Sequence, residues 1–258
     1  MTEIEIISFW KELDTKNKPY WHPADKDIIE SKKLEYYNIN NYEELINHQD
    51  FGNINGKFHL NLLPVPYTGD IINAKAYILL LNPGFSILDY IVENNNDIKQ
   101  NIICNIKQDF SKTKYPMIWL DPEYLWTEGG LWIENKLRDI ICKVKDNEKL
   151  SYLKALEYVS KRIAIIELVP YHSKFFNISS NTLKSLESVK RIKKFINDYV
   201  FKKVENKEAC IIVTRKYKEW DLPKHENIIF YEGSKARGAS LSSDSDGGKK
   251  ILEFLLTH

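Results

Sequence analysis

The chain has 258 residues, 43% of them hydrophobic and 28% charged, with a formal net charge of +1. That balance belongs to folded globular chains and excludes a disordered one, and no apolar run reaches the roughly 20 residues that span a bilayer. Three scattered cysteines, Cys104, Cys142 and Cys210, without a C-x-x-C exclude a disulfide framework, a zinc site and a four-thiolate cluster.

Residues 1–60 read as a helical N-terminal extension. Ile4 to Leu13 and Tyr42 to His48, the latter after an Asn cap, are its helical segments, separated by Pro19 and Pro23. Acidic Glu3 and Glu5 stand where a secretory signal carries basic residues, so a cytoplasmic protein is expected. Leu63 to Asp70 is a turn-rich approach to the first strand, Ala76 to Leu81, which stops on Asn82-Pro83-Gly84. Pro83 forbids further ladder pairing, and Gly84 lets the backbone pass close to a ligand. Ile163 to Val169, Cys210 to Thr214 and Ile228 to Tyr231 are the other strands. Helical spacing runs through Leu131 to Val144, Ser151 to Ser160, Leu183 to Lys203 and Gly248 to Leu256. The alternation predicts one α/β domain over residues 1–258 with its core from residue 61. Its form is a three-layer α/β/α sandwich around a central, mainly parallel four-stranded sheet.

In such a sheet, chemistry gathers beyond the carboxyl ends of strands. The first strand delivers Asn82, Gly84, Phe85 and Ser86. The second delivers Glu167 and then Pro170, Tyr171, His172 and Ser173. The third delivers Arg215 and Lys216, and the fourth a stretch from Gly233 to Ser243. Charge is uneven: residues 1–150 hold 17 basic and 23 acidic side chains, residues 151–258 hold 20 and 13. The basic second half suits a polyanion, and the alternative for Lys190 to Lys194 is a solvated helix face.

This arrangement resembles the uracil-DNA glycosylase superfamily, from about Tyr67 to the C-terminus. Gly69-Asp70, a strand and Asn82-Pro83-Gly84 are similar to the first active-site motif of its mismatch-specific and single-strand-selective branches, in which the Asn positions the attacking water. Gly238-Ala239-Ser240-Leu241-Ser242-Ser243, followed by Gly247-Gly248 and a helix, is similar to the second motif, a loop that presses on DNA while a base is flipped. The resemblance implies a uracil-DNA glycosylase-like fold, Leu241 as a wedge, and DNA contacts from Arg215, Lys235, Arg237, Gly238, Ser240 and Ser242. It further implies a monofunctional, metal-free and cofactor-free glycosylase, acting as a monomer. Arg237-Gly238-Ala239-Ser240 replaces the usual His-Pro-Ser, the first motif carries no Asp, and Glu167 stands where uracil enzymes carry an Asn.

Asn82 accepts a water through its carbonyl oxygen but is no strong base, so a slower, positioning-led enzyme is expected. Backbone N–H groups around Phe85 and Ser86, and His172, are candidate donors to the departing base. An ionised Glu167 suits the exocyclic amine of cytosine better than a uracil carbonyl, which points to a modified cytosine of phage DNA and a defence role. The alternative for Glu167 is an ion pair with Arg162 or Arg215. Tyr115 and Trp119 are candidates for base stacking, with core packing the alternative. Two rival readings stand: a non-catalytic nucleic-acid-binding module on the same fold, and an unrelated hydrolase, for which phosphate-loop and G-x-S-x-G motifs are missing.

Overall fold

The computed structural model describes residues 4–236 and 239–256, without the side chains of Ser234 and Lys235. In chain order its helices and strands are α1 (Glu5–Lys11), α2 (Pro23–Ser31), α3 (Tyr42–Ile46), β1 (Tyr67–Thr68), β2 (Ala76–Leu80), α4 (Asp89–Val92), α5 (Asn96–Lys107), α6 (Glu128–Asn147), α7 (Tyr152–Ser160), β3 (Ile163–Glu167), α8 (Ser180–Ser185), α9 (Glu187–Phe195), α10 (Phe201–Glu205), β4 (Cys210–Val213), α11 (Tyr217–Trp220), β5 (Ile228–Phe230) and α12 (Asp246–Leu256). No described helix is long and apolar enough to cross a membrane.

The α/β class and the four expected strands are present, but the sheet has five strands rather than four, in the order β1-β3-β2-β4-β5. The addition is β1, which pairs antiparallel with β3 through Tyr67↔Ile166 and Thr68↔Ile165. Two residues between Pro66 and Gly69 leave no alternation to read. Gly69 ends the strand at φ +93°, and a Cβ there would lie 2.5 Å from the Ile163 carbonyl oxygen, so the turn requires glycine. β2 runs parallel to β4, from Ala76↔Cys210 to Leu79↔Val213, and β4 parallel to β5.

The helix expected over 183–203 is broken. Leu186 is extended (φ −60°, ψ 128°) and separates α8 from α9, and a π-helical turn at Ile196–Val200 leads into α10. Buried Ile192, Ile196, Val200 and Val204 recur every four residues. That spacing exceeds 3.6 per turn, and the wider turn keeps them on one face.

The chain forms two compact units. One comprises Tyr67–Leu80, Gln108–Ile166 and the chain from Ile196 onward, and carries the sheet. Ala76, Ile78, Ile163, Ile165, Cys210 and Ile212 pack on α6, α7 and α12 through residues such as Ile140, Leu156 and Ile251. On the opposite face Lys203 of α10 donates to Tyr77 Oη (3.1 Å) and to the carbonyls of Ile72 and Ala74 (both 2.8 Å).

The other unit comprises the chain up to Pro66, Leu81–Lys107 and Glu167–Phe195. Here α1 packs on α5 and α9, and α2 on α9. The basic run of α9 is largely neutralised: Lys190 and Arg191 pair with Glu187, and Arg191 and Lys194 with Glu5. Fully buried Asp25 of α2 accepts from Tyr171 Oη (2.8 Å) and from the Ser188 N–H (3.1 Å), tying α2 to the segment that follows β3.

Candidate functional site

At the exit of β2 the Leu81 carbonyl accepts from the Val169 N–H at 2.9 Å, and the Pro83 carbonyl from the Ser173 N–H at 3.4 Å. Pro83 has no N–H with which to continue, so the chain turns out of the ladder here. Half-buried Asn82 is held at that turn by its amide nitrogen. Nδ2 donates to Ser173 Oγ (3.0 Å) and the Pro83 carbonyl (2.9 Å), with the Tyr171 carbonyl at 3.4 Å. With its donors engaged, Asn82 keeps Oδ1 as a fixed acceptor that receives no hydrogen bond among the described residues. A water or hydroxyl is what such an oxygen can orient. The N–H groups of Gly84 and Phe85 likewise have no partner among the described residues, and nothing lies within 4 Å of where a Gly84 Cβ would stand. Two adjacent free donors beside a fixed acceptor can stabilise a small anion that forms next to a held water.

Other expected donors are occupied. The Ser86 N–H, expected to face a departing base, donates to Asp89 Oδ2 at 2.7 Å. Both ring nitrogens of His172 face backbone carbonyls, Nδ1 that of Gly84 (2.8 Å) and Nε2 that of Leu63 (3.1 Å). An imidazolium donates to both and a neutral ring to one. As placed, His172 staples the Asn-Pro-Gly turn to Leu63 and offers no N–H to a ligand.

Phe85 lies face to face on His59, with ring centroids 3.5 Å apart and planes 7° apart. Tyr37 packs against the same imidazole at 4.9 Å. His59 is completely buried; its N–H donates to the His172 carbonyl (2.9 Å), and its Nδ1 is hydrogen-bonded with Tyr90 Oη (3.1 Å). Its Nε2 has no hydrogen-bond partner among the described residues. Burial, with His172 nearby, pushes its pKa down to about 3, so the ring is neutral. Next to this group, Glu93 accepts from the Leu63 N–H with both carboxylate oxygens (2.9 and 3.0 Å). Burial pushes its carboxyl up to about 8, against the Leu63 hydrogen bond and with help from Asp89.

Glu167, 6% exposed, ends β3 in this same unit. Of the two basic residues expected opposite it, Arg162 stacks on Tyr158 (3.6 Å to the ring centre) and donates to the Tyr158 carbonyl (3.2 Å), and Arg215 is exposed on the turn after β4. His59, Tyr90 and Glu93 were not singled out from sequence, and Ser173 was placed at this sheet edge without a role. Ser173 had a signal, two residues past a strand-end Pro-Tyr. His59 had none, since it joins the site only through contacts distant along the chain.

The remaining candidates belong to the sheet-bearing unit. Tyr115 and Trp119 are half-buried against its core, and the Trp119 indole lies where a Gly129 Cβ would approach within 3.0 Å. Both therefore pack rather than project. Leu241, expected as a wedge, is 3% exposed and part of the core, because its neighbours are pinned to α6. Lys136 donates to the Ala239 carbonyl (3.0 Å) and Asp139 accepts from the Ser243 N–H (2.6 Å). Asn135, Lys136, Asp139, Ser240, Leu241 and Ser242 line a cavity of about 250 Å³ there. Ser240 is exposed and bonds Ser242 Oγ at 3.0 Å. Arg237, Gly238 and the Lys235 side chain lie outside the described residues. No three His, Cys, Asp or Glu side chains are grouped to hold a metal ion among the described residues. Comparison with protein-family models, with curated proteins and with solved structures finds no match for this chain.

Proposed function

We propose that the chain is a monofunctional DNA glycosylase of the uracil-DNA glycosylase type, acting on a flipped pyrimidine. The observation that carries this reading is the pinned amide of Asn82, whose Oδ1 stands free beside the open N–H groups of Gly84 and Phe85. In the proposed reaction Asn82 Oδ1 holds a water against the sugar C1′. The N-glycosidic electron pair leaves with the base, and the Gly84 and Phe85 N–H groups stabilise the negative charge gathering there. The water's oxygen bonds to C1′, its proton passes to solvent, and an abasic site remains. No group in this scheme is a strong base, so the rate rests on positioning. Buried Glu167 supports a base that bears an exocyclic amine, a modified cytosine of phage DNA, which would make the enzyme a defence protein.

The test is mass spectrometry of bases released from DNA carrying uracil, G·T mismatch, hypoxanthine, hydroxymethylcytosine or glucosylated hydroxymethylcytosine. Wild type is expected to release one base, Asn82→Ala to lose at least about 100-fold of that rate, and Glu167→Gln to change the preferred base. Release undiminished in Asn82→Ala refutes the assignment. A second reading, a non-catalytic nucleic-acid-binding module, is favoured by buried Leu241 and by the occupied nitrogens of His172. Silence across the panel with DNA binding intact selects it.

A further inference from the structure

We infer that His172 is a positioning residue for the Gly84–Phe85 peptide: as an imidazolium donating from both ring nitrogens, it holds the Gly84 carbonyl and with it the direction of the open Phe85 N–H. A carbonyl and the N–H of the next residue share one planar unit and point in opposite directions. The ring grips that unit at its oxygen, with Nδ1 at 2.8 Å from the Gly84 carbonyl. The Phe85 N–H at the other end has no partner among the described residues. Gly84 has no Cβ to resist a flip of this peptide, and the flip leaves the Phe85 ring on His59 where it is. The bond from His172 is what opposes it. A hydrogen bond at the oxygen also polarises the peptide and strengthens its N–H as a donor.

The partners of the ring count its protons. Nε2 stands 3.1 Å from the Leu63 carbonyl, so both nitrogens face acceptors. A neutral imidazole has one N–H, and its bare nitrogen would set a lone pair against a carbonyl oxygen. The other described histidines differ. His22 gives Nε2 to the Phe9 carbonyl (2.8 Å) and accepts the Ala24 N–H at Nδ1 (3.1 Å), the pattern of a neutral ring. His48 and His225 accept backbone N–H groups, and His59 meets a hydroxyl. On the elements that touch His172, the titratable groups are His59, Asp89, Tyr90 and Glu93, with Lys174 on its own segment. Burial, with His172 nearby, pushes His59 down to about 3, so that ring adds no charge. Glu93 holds the Leu63 N–H, and burial pushes its carboxyl up to about 8. Asp89 holds the Ser86 N–H, and Tyr90 bonds His59. Loss of one proton from His172 therefore releases either the turn or its anchor at Leu63.

That the charge met by the Phe85 N–H is a departing base rests on the glycosylase reading; the clamp itself does not. The experiment is ¹H–¹⁵N NMR across the folded pH range, following the ring nitrogens of His172 and the Phe85 amide in wild type and His172→Gln. Base release from the DNA panel is measured over the same range. Both ring nitrogens are expected to carry protons at the acid end. As pH rises, the Phe85 amide should shift with the midpoint of the ring, and His172→Gln should abolish that shift. Base release by wild type at saturating DNA should fall at least about tenfold through the midpoint, on the scale of a hydrogen bond from a charged donor. In His172→Gln it should be slow and flat. A single protonated nitrogen throughout overturns the inference, as does a Phe85 amide that ignores the midpoint or shifts equally in His172→Gln. Base release indifferent to the midpoint also overturns it. Should His172→Gln not fold, the wild-type titration decides alone. A silent panel with the two titrations coupled refutes only the glycosylase reading. Base release with a neutral His172 throughout refutes only this inference.

Discussion

At the scale of single residues, Asn82 is useful because of what its neighbours remove from it. An amide side chain has two donors and an acceptor, and Ser173 and Pro83 occupy the donors. The orientation of the acceptor follows. Ser173→Ala deletes one of those restraints without touching Oδ1. On the proposed glycosylase reading, the rate of base release at saturating DNA is expected to fall about tenfold, on the scale of one neutral hydrogen bond. KM should be unchanged, with Ser173→Thr retaining activity; steady-state kinetics on the released base checks this, and a change confined to KM contradicts it. Asn82, Pro83 and Gly84 were legible in sequence because an apolar strand ending on a proline declares its own boundary. His59 was not, because a stack between residues far apart along the chain leaves no period to read.

Among elements, turns and breaks were harder to read than runs. β2 to β5 are short but continuous and apolar, and each appears within a residue or two of its expected range. The helix over 183–203 satisfied a 3–4 spacing throughout and is nevertheless interrupted twice, since side-chain spacing does not register where the backbone stretches to a π-turn. The Gly247-Gly248 pair was legible as part of a motif, and packing explains its chemistry. A Cβ on Gly248 would lie 1.8 Å from the Ser242 carbonyl oxygen. That oxygen also receives the Ser245 N–H (3.0 Å) and Oγ (2.8 Å), while Ser245 Oγ accepts from the Gly248 N–H (3.0 Å). Gly248→Ala must push the Leu241–Ser245 segment off the start of α12. A loss of about 2 kcal/mol or more is expected in urea denaturation, and an unchanged midpoint contradicts the close approach.

For the whole molecule, His59 and Glu93 contribute opposite slopes to stability against pH, and His22, its pKa also lowered by burial, adds to the acid limb. His59 titrates near 3 in the fold against an ordinary 6.5, so below 6.5 the unfolded chain takes up a proton that the fold does not. Stability is lost as pH falls from about 6.5 to 3, at up to about 1.4 kcal/mol per pH unit. Glu93 titrates near 8 against an ordinary 4.5, so above 4.5 the unfolded chain releases a proton that the fold retains. Its contribution is complete below 4.5 and is lost as pH rises toward 8. Where the ranges overlap, between 4.5 and 6.5, these two slopes oppose one another, and the His22 contribution tips the balance toward the upper end of that window. Glu93→Gln is expected to flatten the alkaline limb and His59→Phe the acid limb in denaturation followed across pH; limbs unaffected by either change contradict the assignment. Fold class and strand order along the chain were legible at this scale because composition and alternation act over long stretches. Two carboxyl and imidazole groups shifted by their surroundings were not, since burial is a property of the assembled chain.

The bond from Tyr171 to Asp25 bears on how far this chain can be shortened. Read along the sequence, the first sixty residues look like an appendage that an engineer would trim to reach a minimal catalytic core. Yet Tyr171, completely enclosed, reaches past its own segment to a carboxylate and a backbone N–H that α2 and its cap supply. The next two residues are the ones that staple the turn and pin the Asn82 amide. Cutting before residue 61 removes the wall against which that segment is braced. The smallest piece that can keep the Asn82 turn braced therefore begins at or before the helix that appears most dispensable.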